Sequence, residues 1–479
     1  MRLSPFLPLV MASLVLAHSN NHQHQHQHHQ HPLVHHHHDL GAVCGSGALP
    51  LDGDATCHSE IEYLAPSHHE NTTTQQTPEE RLQCPHGADC DYQHKHKWTH
   101  SHQCFTSTKS NLKFCAFTDT NFADGRGTSF VMPARRADYI ATNPAFTDPE
   151  VIAGVNQDLV RTMPAVYEMR EFPGKGMGLV AIKPIRRGDL IMANTVSLVI
   201  DYRAFEDLPK EEYQQLQAFA VDNLPPAHRD AIMRLSTHFA ADLPHVQRVD
   251  KIAATNAFDI EPDADDAEQD HGFFVVFPEI ARMNHDCRPN ADYYFDHATL
   301  TQYIHATRDI AVGEEITLSY INPAMTRAAR VRKLQRNWGF ECACAACTQE
   351  RALTEASDRR IRQINKLRGE LTSWKAESRA TPAMAELFVS LHQQERLDSA
   401  MYEAYAFAAA EYNGVGEPWT AIKYARLSVE WGIPIVGPKD KDVLDMEALA
   451  EDPWGHWSWM LRSKKRFGPP GEEEKEEDE

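Results

Sequence analysis

The chain has 479 residues, a length that corresponds to about two to four domains of ordinary size. Apolar residues make up 42% and charged residues 24%, which excludes a wholly disordered chain. Acidic residues outnumber basic ones by 68 to 47, giving a formal net charge of −21. This charge argues against direct binding of nucleic acid, because phosphates are held by clustered cations, and it favours a basic protein partner.

Residues 1–19 have the pattern of a secretory signal peptide. Arg2 precedes an apolar run from Leu7 to Leu16, and Val15–Ala17 fits a small-residue cleavage site. The run is shorter than the roughly 20 residues that cross a bilayer, so it predicts no membrane span. We expect the secretory pathway or secretion, with the nucleus or cytoplasm as the alternative.

Residues 20–43 are rich in histidine and glutamine, and we expect a disordered, solvated spacer, with weak metal binding as the alternative. Residues 44–160 form a cysteine-containing region. An even number of cysteines behind a signal peptide predicts up to three disulfides, and a zinc knuckle using Cys84, Cys90 and histidines such as His94 is the alternative. The six cysteines are Cys44, Cys57, Cys84, Cys90, Cys104 and Cys115.

Beyond residue 160 the hydrophobic pattern predicts short strands, a helical stretch, more strands and a long helical region. The expected strands are 166–170, 178–185, 190–200, 273–277, 291–295, 300–304 and 315–320. The expected helices are 202–254 with breaks at prolines, 326–337, 353–376 and 385–410, and an acidic loop is expected at 258–270. We expect residues 351–466 to form a helical domain with one tetratricopeptide-like helix pair. We expect residues 467–479 to form an acidic disordered tail.

Four short motifs follow one another between residues 174 and 347. The first, Gly174–Leu179, is glycine-rich, and glycine permits close approach of the backbone to a ligand. The second is Asn284–Asn290 and the third is Glu315–Tyr320. The fourth, Trp338–Cys347, contains the spacing C-x-C-x2-C, which is typical of a metal site.

The cysteines of the fourth motif predict a zinc site. Zinc prefers four ligands, and Cys287 in the second motif is the only other cysteine outside the N-terminal region. A site made of Cys287, Cys342, Cys344 and Cys347 would join two motifs that lie far apart in sequence. Disulfide pairing among these residues is the alternative, since a secretory route permits it.

In combination the four motifs resemble those of the SET-domain protein lysine methyltransferases, over roughly residues 160–350. The resemblance is closest to the SET and MYND-domain (SMYD) type, because of a helical insertion, Asn256 within Thr255–Phe258, a short cysteine cluster and a C-terminal helical region. The MYND zinc module is absent, since the insertion contains no cysteine.

The resemblance implies an α+β fold: a β-rich SET domain with a pseudoknot at 161–324, a helical insertion at 202–255, a post-SET zinc segment at 325–350 and an all-α C-terminal domain. It also implies that S-adenosylmethionine is bound. Carried over position by position, the cofactor-binding residues are Lys175, Gly176, Met177, Asn256, Asn284, His285 and Phe340. Tyr320 is the implied catalytic residue, and it borders the substrate channel with Trp338, where the family usually has tyrosine.

Elementary chemistry agrees with these residue types. Transfer of a methyl group from a sulfonium is an in-line displacement, so positioning dominates. The attacking lysine must be neutral, and a dry aromatic channel lowers the pKa of an ammonium group by desolvation. We therefore predict an S-adenosylmethionine-dependent protein-lysine N-methyltransferase acting on a lysine-containing protein. The alternative is a non-catalytic protein-interaction module in the secretory pathway that retains the SET scaffold.

Overall fold

The computed structural model describes residues 98–156, 165–240, 242–262, 271–375 and 377–467. The predicted signal peptide, the histidine- and glutamine-rich segment and the acidic tail from residue 468 onward lie outside these ranges. Cys44, Cys57, Cys84 and Cys90, and with them the alternative zinc knuckle, also lie outside the described residues.

The strands of the described residues fall into three sheets. Their orders are β1-β2-β3-β7-β9-β8, β10-β13-β5-β4 and β11-β12-β6. The strands are β1 (Gln103–Thr106), β2 (Lys113–Asp119), β3 (Thr128–Pro133), β4 (Tyr167–Phe172), β5 (Gly176–Ala181), β6 (Leu190–Thr195), β7 (Leu198–Asp201), β8 (Ala257–Ile260), β9 (Phe273–Val276), β10 (Asn284–His285), β11 (Ala291–Asp296), β12 (Thr301–Ala306) and β13 (Glu315–Leu318).

Three short helices, α1 to α3, precede β4, and the others form an insertion between β7 and β8 and an all-α region after β13. They are α1 (Phe122–Gly125), α2 (Ala134–Ile140), α3 (Pro144–Thr147), α4 (Tyr202–Asp207), α5 (Lys210–Asp222), α6 (Pro226–Met233), α7 (His245–Asn256), α8 (Arg327–Trp338), α9 (Arg351–Leu371), α10 (Pro382–Glu395), α11 (Met401–Gly414), α12 (Pro418–Val436), α13 (Lys441–Glu451) and α14 (Leu461–Phe467). Among the described residues, no helix combines the length and the apolar character needed to cross a membrane.

Strands β2 and β3 are buried on both faces, and their sequences accordingly lack strict alternation of apolar and polar residues. One face places Phe117 and Phe130 in the core of the β-rich region. The opposite face packs Phe114 and Val131 against Leu216 of the helical insertion. Because β3 pairs in parallel with β7, this sheet joins strands on both sides of the predicted boundary between residues 160 and 161.

The arrangement confirms the α+β class predicted from the sequence, with a β-rich region, a helical insertion and an all-α C-terminal region. Prolines begin several of the helices, because the first turn has no use for the missing N–H group. Pro226 is the first residue of α6, and Pro244 immediately precedes α7. Buried side chains such as Ile361, Phe388 and Ala404 form a separate core between α9, α10 and α11.

Two local predictions are wrong. Part of the acidic loop expected at 258–270 is the strand β8, which pairs antiparallel with β9. The ring of Phe258 anchors it, with its centroid 5.2 Å from that of Tyr293. The single helix expected at 385–410 is divided into α10 and α11, because Arg396 adopts a left-handed conformation with φ of 53° and ends α10.

Two of the early cysteines are joined. Cys104 and Cys115 lie opposite each other on β1 and β2, with their Cα atoms 4.1 Å apart, and form a disulfide. The other four early cysteines lie outside the described residues, so the full pairing stays a prediction.

Candidate active site

The first three motifs lie on neighbouring strands of one sheet. The first motif runs into β5, the second begins with β10, and the third forms β13, which lies between them. Asn284 and His285 of β10 pair in parallel with Thr317 and Leu318 of β13. Residues more than a hundred positions apart in the sequence therefore meet at one edge of this sheet.

The asparagine that ends the second motif fastens that motif to β13. The side chain of Asn290 is buried, donates to the carbonyl oxygen of Glu315 at 2.8 Å and accepts from the amide nitrogen of Thr317 at 2.8 Å. An amide side chain can pair with a strand in the way that a neighbouring backbone segment does, because it carries both a hydrogen-bond donor and an acceptor. No role for Asn290 was predicted from the sequence. In the structure its side chain links the second motif to β13.

Glu315 connects the predicted cofactor-binding residues of the first two motifs. It forms an ion pair with Lys175 at 2.5 Å and accepts a hydrogen bond from Asn284 at 2.9 Å. The close approach requires glycine in β5, because a Cβ atom at Gly178 would lie only 2.6 Å from the side-chain nitrogen of Asn284. Sequence analysis placed Glu315 in the third motif but missed this role.

Asn256 lies at the last position of α7, beside the loop that follows α6. Its side-chain nitrogen donates to the carbonyl oxygens of Ile252 and Ser236, each at 2.8 Å. No hydrogen bond from the described residues reaches the side-chain oxygen of Asn256 or that of Asn284. The side-chain nitrogens of the two predicted asparagines therefore donate within the protein, and their side-chain oxygens remain available to accept a hydrogen bond from a ligand.

Tyr320 follows β13 and is surrounded by aromatic rings. Its ring centroid is 5.3 Å from that of His285 and 5.4 Å from that of Trp338, and its hydroxyl donates to the carbonyl oxygen of Met283 at 2.7 Å. Burial and then the negative charge of Glu315 raise the pKa of Tyr320, so its hydroxyl stays protonated.

The side chain of His285 links Tyr320 to the cysteine cluster. Its Nδ1 accepts from the backbone nitrogen of Tyr320 at 3.0 Å, so Nε2 carries the hydrogen and donates to the sulfur of Cys287 at 3.3 Å. Burial lowers the pKa of His285 to about 3, so the ring is neutral. From the sequence His285 was predicted only as a cofactor-binding residue, because the partners of this ring lie elsewhere in the chain.

Trp338 and Phe340 are presented by the end of α8. Gly339 between them ends the helix with a φ of +72°, and a Cβ atom there would lie 3.1 Å from the ring of His238. The indole nitrogen of Trp338 donates to the carbonyl oxygen of Thr255 at 3.2 Å, next to Asn256. The fourth motif therefore closes against the end of the helical insertion.

The four predicted zinc ligands lie together. The sulfur atoms of Cys287, Cys342, Cys344 and Cys347 are all within 4.8 Å of one another. The sulfur of Cys287 is 4.0 Å from that of Cys342 and 3.5 Å from that of Cys347. In a tetrahedral site with Zn–S bonds of about 2.3 Å, neighbouring sulfurs lie about 3.8 Å apart, so the spacing fits zinc.

A buried cation neighbours this cluster. Arg330 of α8 is 1% exposed, and its guanidinium lies 4.0 Å from the sulfur of Cys347. Hydrogen bonds from the other thiols, beginning with that of Cys287, and the charge of Arg330 lower the pKa of Cys347. If the cluster binds a divalent ion, Arg330 would offset the negative charge that four thiolates retain around it. No sequence pattern indicates a role for Arg330, because its position depends on how α8 packs.

Comparison with known proteins identifies the scaffold. A family model described as SET domain matches residues 176–321. These residues are a SET domain. The match begins within the first motif and ends directly after Tyr320, so it contains most of the first motif and all of the second and third, and it leaves the cysteine-rich fourth motif outside.

Two curated relatives of this chain have related descriptions. Histone-lysine N-methyltransferase set5 of Schizosaccharomyces pombe is 30% identical over 203 residues, covering 42% of this chain and 56% of the relative. Histone-lysine N-methyltransferase SMYD3 of Homo sapiens is 28% identical over 138 residues, covering 27% of this chain and 31% of the relative. The chain thus matches about half or less of their lengths.

Among solved structures, the Neurospora SET domain protein DIM-5, a histone lysine methyltransferase, is 18% identical. The alignment covers 35% of this chain and 56% of that one, with a TM-score of 0.20. A superposition of that quality supports no argument about the site.

The SET domain is fastened to the helical region by a buried ion pair. Arg288 of the second motif donates to a carboxylate oxygen of Glu395, at the end of α10, at 2.7 Å. The side chains are 9% and 4% exposed. Ser357 and Arg360 of α9 also donate to this carboxylate, each at 2.7 Å. The C-terminal helices therefore hold the segment that carries Cys287.

Proposed function

We propose that this protein is an S-adenosylmethionine-dependent protein-lysine N-methyltransferase. The observation that carries the proposal is the convergence of all four motifs on Tyr320. Its ring lies against His285 of the second motif and Trp338 of the fourth, and Glu315 of its own motif forms an ion pair with Lys175 of the first. A lysine-containing protein is the proposed substrate.

The proposed cofactor residues suit the groups of S-adenosylmethionine. Its ammonium needs hydrogen-bond acceptors, and the side-chain oxygens of Asn256 and Asn284 accept no bond from the described residues. Lys175 is half-exposed and can turn from Glu315 toward a carboxylate. Phe340 offers an aromatic face beside His285, with ring centroids 6.1 Å apart. When bound, the cofactor supplies an electrophilic methyl group.

The chain's own residues would prepare the target amine. A lysine inserted beside Tyr320 and Trp338 is desolvated by their rings, which favours the neutral, nucleophilic amine. The Tyr320 hydroxyl donates its hydrogen to Met283, so its lone pairs remain free to accept a hydrogen bond from the amine and orient it. Trp338 cannot supply a second hydroxyl at this position, so orientation depends on Tyr320.

The cysteine cluster is proposed to bind one structural zinc ion. All four ligand positions are filled by protein sulfurs, which is typical of a structural rather than a catalytic zinc site. Zinc would hold residues 342–347 against Cys287 and so fix Phe340 and Trp338 beside Tyr320. Through His285 the same site also steadies the backbone of Tyr320.

The test is incubation with radiolabelled S-adenosylmethionine and a panel of lysine-rich proteins. We expect label on at least one protein, and a loss of at least about a hundredfold in rate for Tyr320→Phe. Tyr294→Phe is a matched control, because Tyr294 stacks on Tyr303 away from Tyr320. If the intact protein neither transfers label nor binds the cofactor by calorimetry, the non-catalytic scaffold is the better explanation.

We also propose that the chain enters the secretory pathway, as the pattern of residues 1–19 predicts. The Cys104–Cys115 disulfide is compatible with an oxidising compartment. Sequencing the N-terminus of the mature protein tests this. A mature chain that retains Met1 to Leu16 would contradict it.

A further inference from the structure

A basic pocket lies on the helical region, on a face of α9 that the ion pairs with α10 and α11 do not use. It has a volume of about 590 Å³ and is lined by Arg362, Lys366, Glu370 and Arg379, with Leu367 and Met384 as its apolar part. Three cations and one carboxylate give it a net positive charge. The protein as a whole is strongly acidic, with a formal net charge of −21.

The cations of this pocket lack partners among the described residues. On the same helix, Arg360 pairs with Glu395 and Arg368 pairs with Glu403. No ion pair within the described ranges reaches Arg362, Lys366 or Arg379, and all three side chains are exposed. The pocket can therefore accept carboxylates without breaking an existing pair.

An acidic segment of this chain begins close by. Helix α14 is anchored by Arg462, which donates to the carbonyl oxygen of Ser373 at 2.8 Å and to the hydroxyl of Ser378 at 3.1 Å. Ser378 directly precedes Arg379 of the pocket. Residues 468–479 follow α14, and Glu472–Glu479 contains seven acidic residues and one lysine.

The distances permit the contact. From Arg462 to the end of α14 the helix rises about 8 Å, at about 1.5 Å per residue. Along α9, Arg362 lies about 14 Å from Leu371, near the segment that Arg462 holds. The 12 residues beyond α14 can extend about 40 Å, which exceeds the sum of these two distances.

We propose that the acidic C-terminal segment, Glu472–Glu479, docks in the basic pocket formed by Arg362, Lys366 and Arg379. The contact pairs glutamate carboxylates with these cations on the surface of the protein. It therefore weakens with ionic strength, as exposed ion pairs do. An external acidic peptide that binds this pocket must displace the segment.

Zero-length carbodiimide cross-linking of the full chain tests the docking, because it joins a lysine to a carboxylate only when the two are in contact. We expect a Lys366 cross-link to a glutamate of Glu472–Glu479 in the monomer, identified by mass spectrometry. Arg362→Gln with Arg379→Gln should reduce its yield several-fold, and 0.5 M salt should do the same. Arg351→Gln is the matched control on the same helix, because Arg351 is paired with Glu355 and lies outside the pocket.

The Lys175–Glu315 pair, 2.5 Å apart, provides an internal standard for the reaction. If that cross-link forms while the acidic segment joins only Lys464, or no lysine at all, the proposal is overturned. A Lys366 cross-link whose yield is unaffected by Arg362→Gln with Arg379→Gln would also overturn it, since the cations would then not hold the segment.

Discussion

Replacing Glu395 by alanine should strongly destabilise the protein. The carboxylate is 4% exposed and accepts hydrogen bonds from Arg288, Ser357 and Arg360, each at 2.7 Å. Its loss leaves the guanidinium of Arg288, itself 9% exposed, without its ion-pair partner. Removing one partner of a buried ion pair costs about 3–5 kcal/mol, so we expect the free energy of unfolding to fall by about that amount at pH 7.

Urea unfolding followed by circular dichroism measures this loss. Glu355→Ala is the matched control, because Glu355 pairs with Arg351 on the exposed surface of α9, where such a pair contributes about 0.5 kcal/mol or less. Replacing both partners, with Arg288→Met and Glu395→Leu, should recover most of the loss, since no buried charge is left unpaired. A loss below about 1 kcal/mol for Glu395→Ala would refute the reasoning.

The pH dependence of the same measurement has a defined sign. Burial alone would raise the pKa of Glu395, but the hydrogen bonds from Ser357 and Arg288 and the charge of Arg288 lower it below its usual value. A carboxyl with a lowered pKa stabilises the folded state above its unfolded-state pKa of about 4.3. The difference in free energy of unfolding between wild type and Glu395→Ala should therefore be largest at neutral pH. It should shrink as the pH falls below about 4.3 and disappear once the pH is below the lower folded-state pKa.

Three further outcomes are expected. Elemental analysis should find one zinc per chain, retained after deletion of residues 18–38 and lost in Cys344→Ser; zinc that disappears with the deletion instead would contradict the cysteine site. Methylation of a lysine-rich protein should slow as salt rises from about 0.02 to 0.5 M, because the acidic surface steers a basic substrate, and a constant rate would rule out steering. Gly339→Ala should lower the free energy of unfolding by about 1–3 kcal/mol, because φ is +72° and the ring of His238 is close. Gly369 is exposed and has open space around it, so Gly369→Ala should not lower the free energy of unfolding.

The four late cysteines show how much of the site the sequence could predict. Thiolate chemistry and the C-x-C-x2-C spacing define a metal cluster without knowledge of the fold, and a fourth ligand was needed from elsewhere in the chain. The structure places Cys287 with the other three sulfurs. The metal itself stays a prediction.

Features that depend on distant partners could not be predicted in this way. The hydrogen bonds of His285 and the burial of Arg330 arise from packing, and a single buried polar residue has no sequence signature. Strands β1 to β3 were not predicted. Strand β3 pairs with β7, about 70 residues later, and burial on both faces removes the alternation of apolar and polar residues that indicates a strand. The break between α10 and α11 could not be predicted, because its left-handed residue is Arg396 rather than the glycine or asparagine that usually takes this conformation.

The parallel pairing of β3 with β7 bears on how the protein can be shortened. A fragment starting at residue 161 keeps the whole SET match but strips the hydrogen-bonding partner from Leu198–Ile200, whose side chains are almost fully buried in the intact chain. A freshly exposed apolar edge strand recruits other chains, so such a fragment should elute as aggregates in size-exclusion chromatography. A shortened form of the protein suitable for crystallisation therefore has to begin upstream of Gln103.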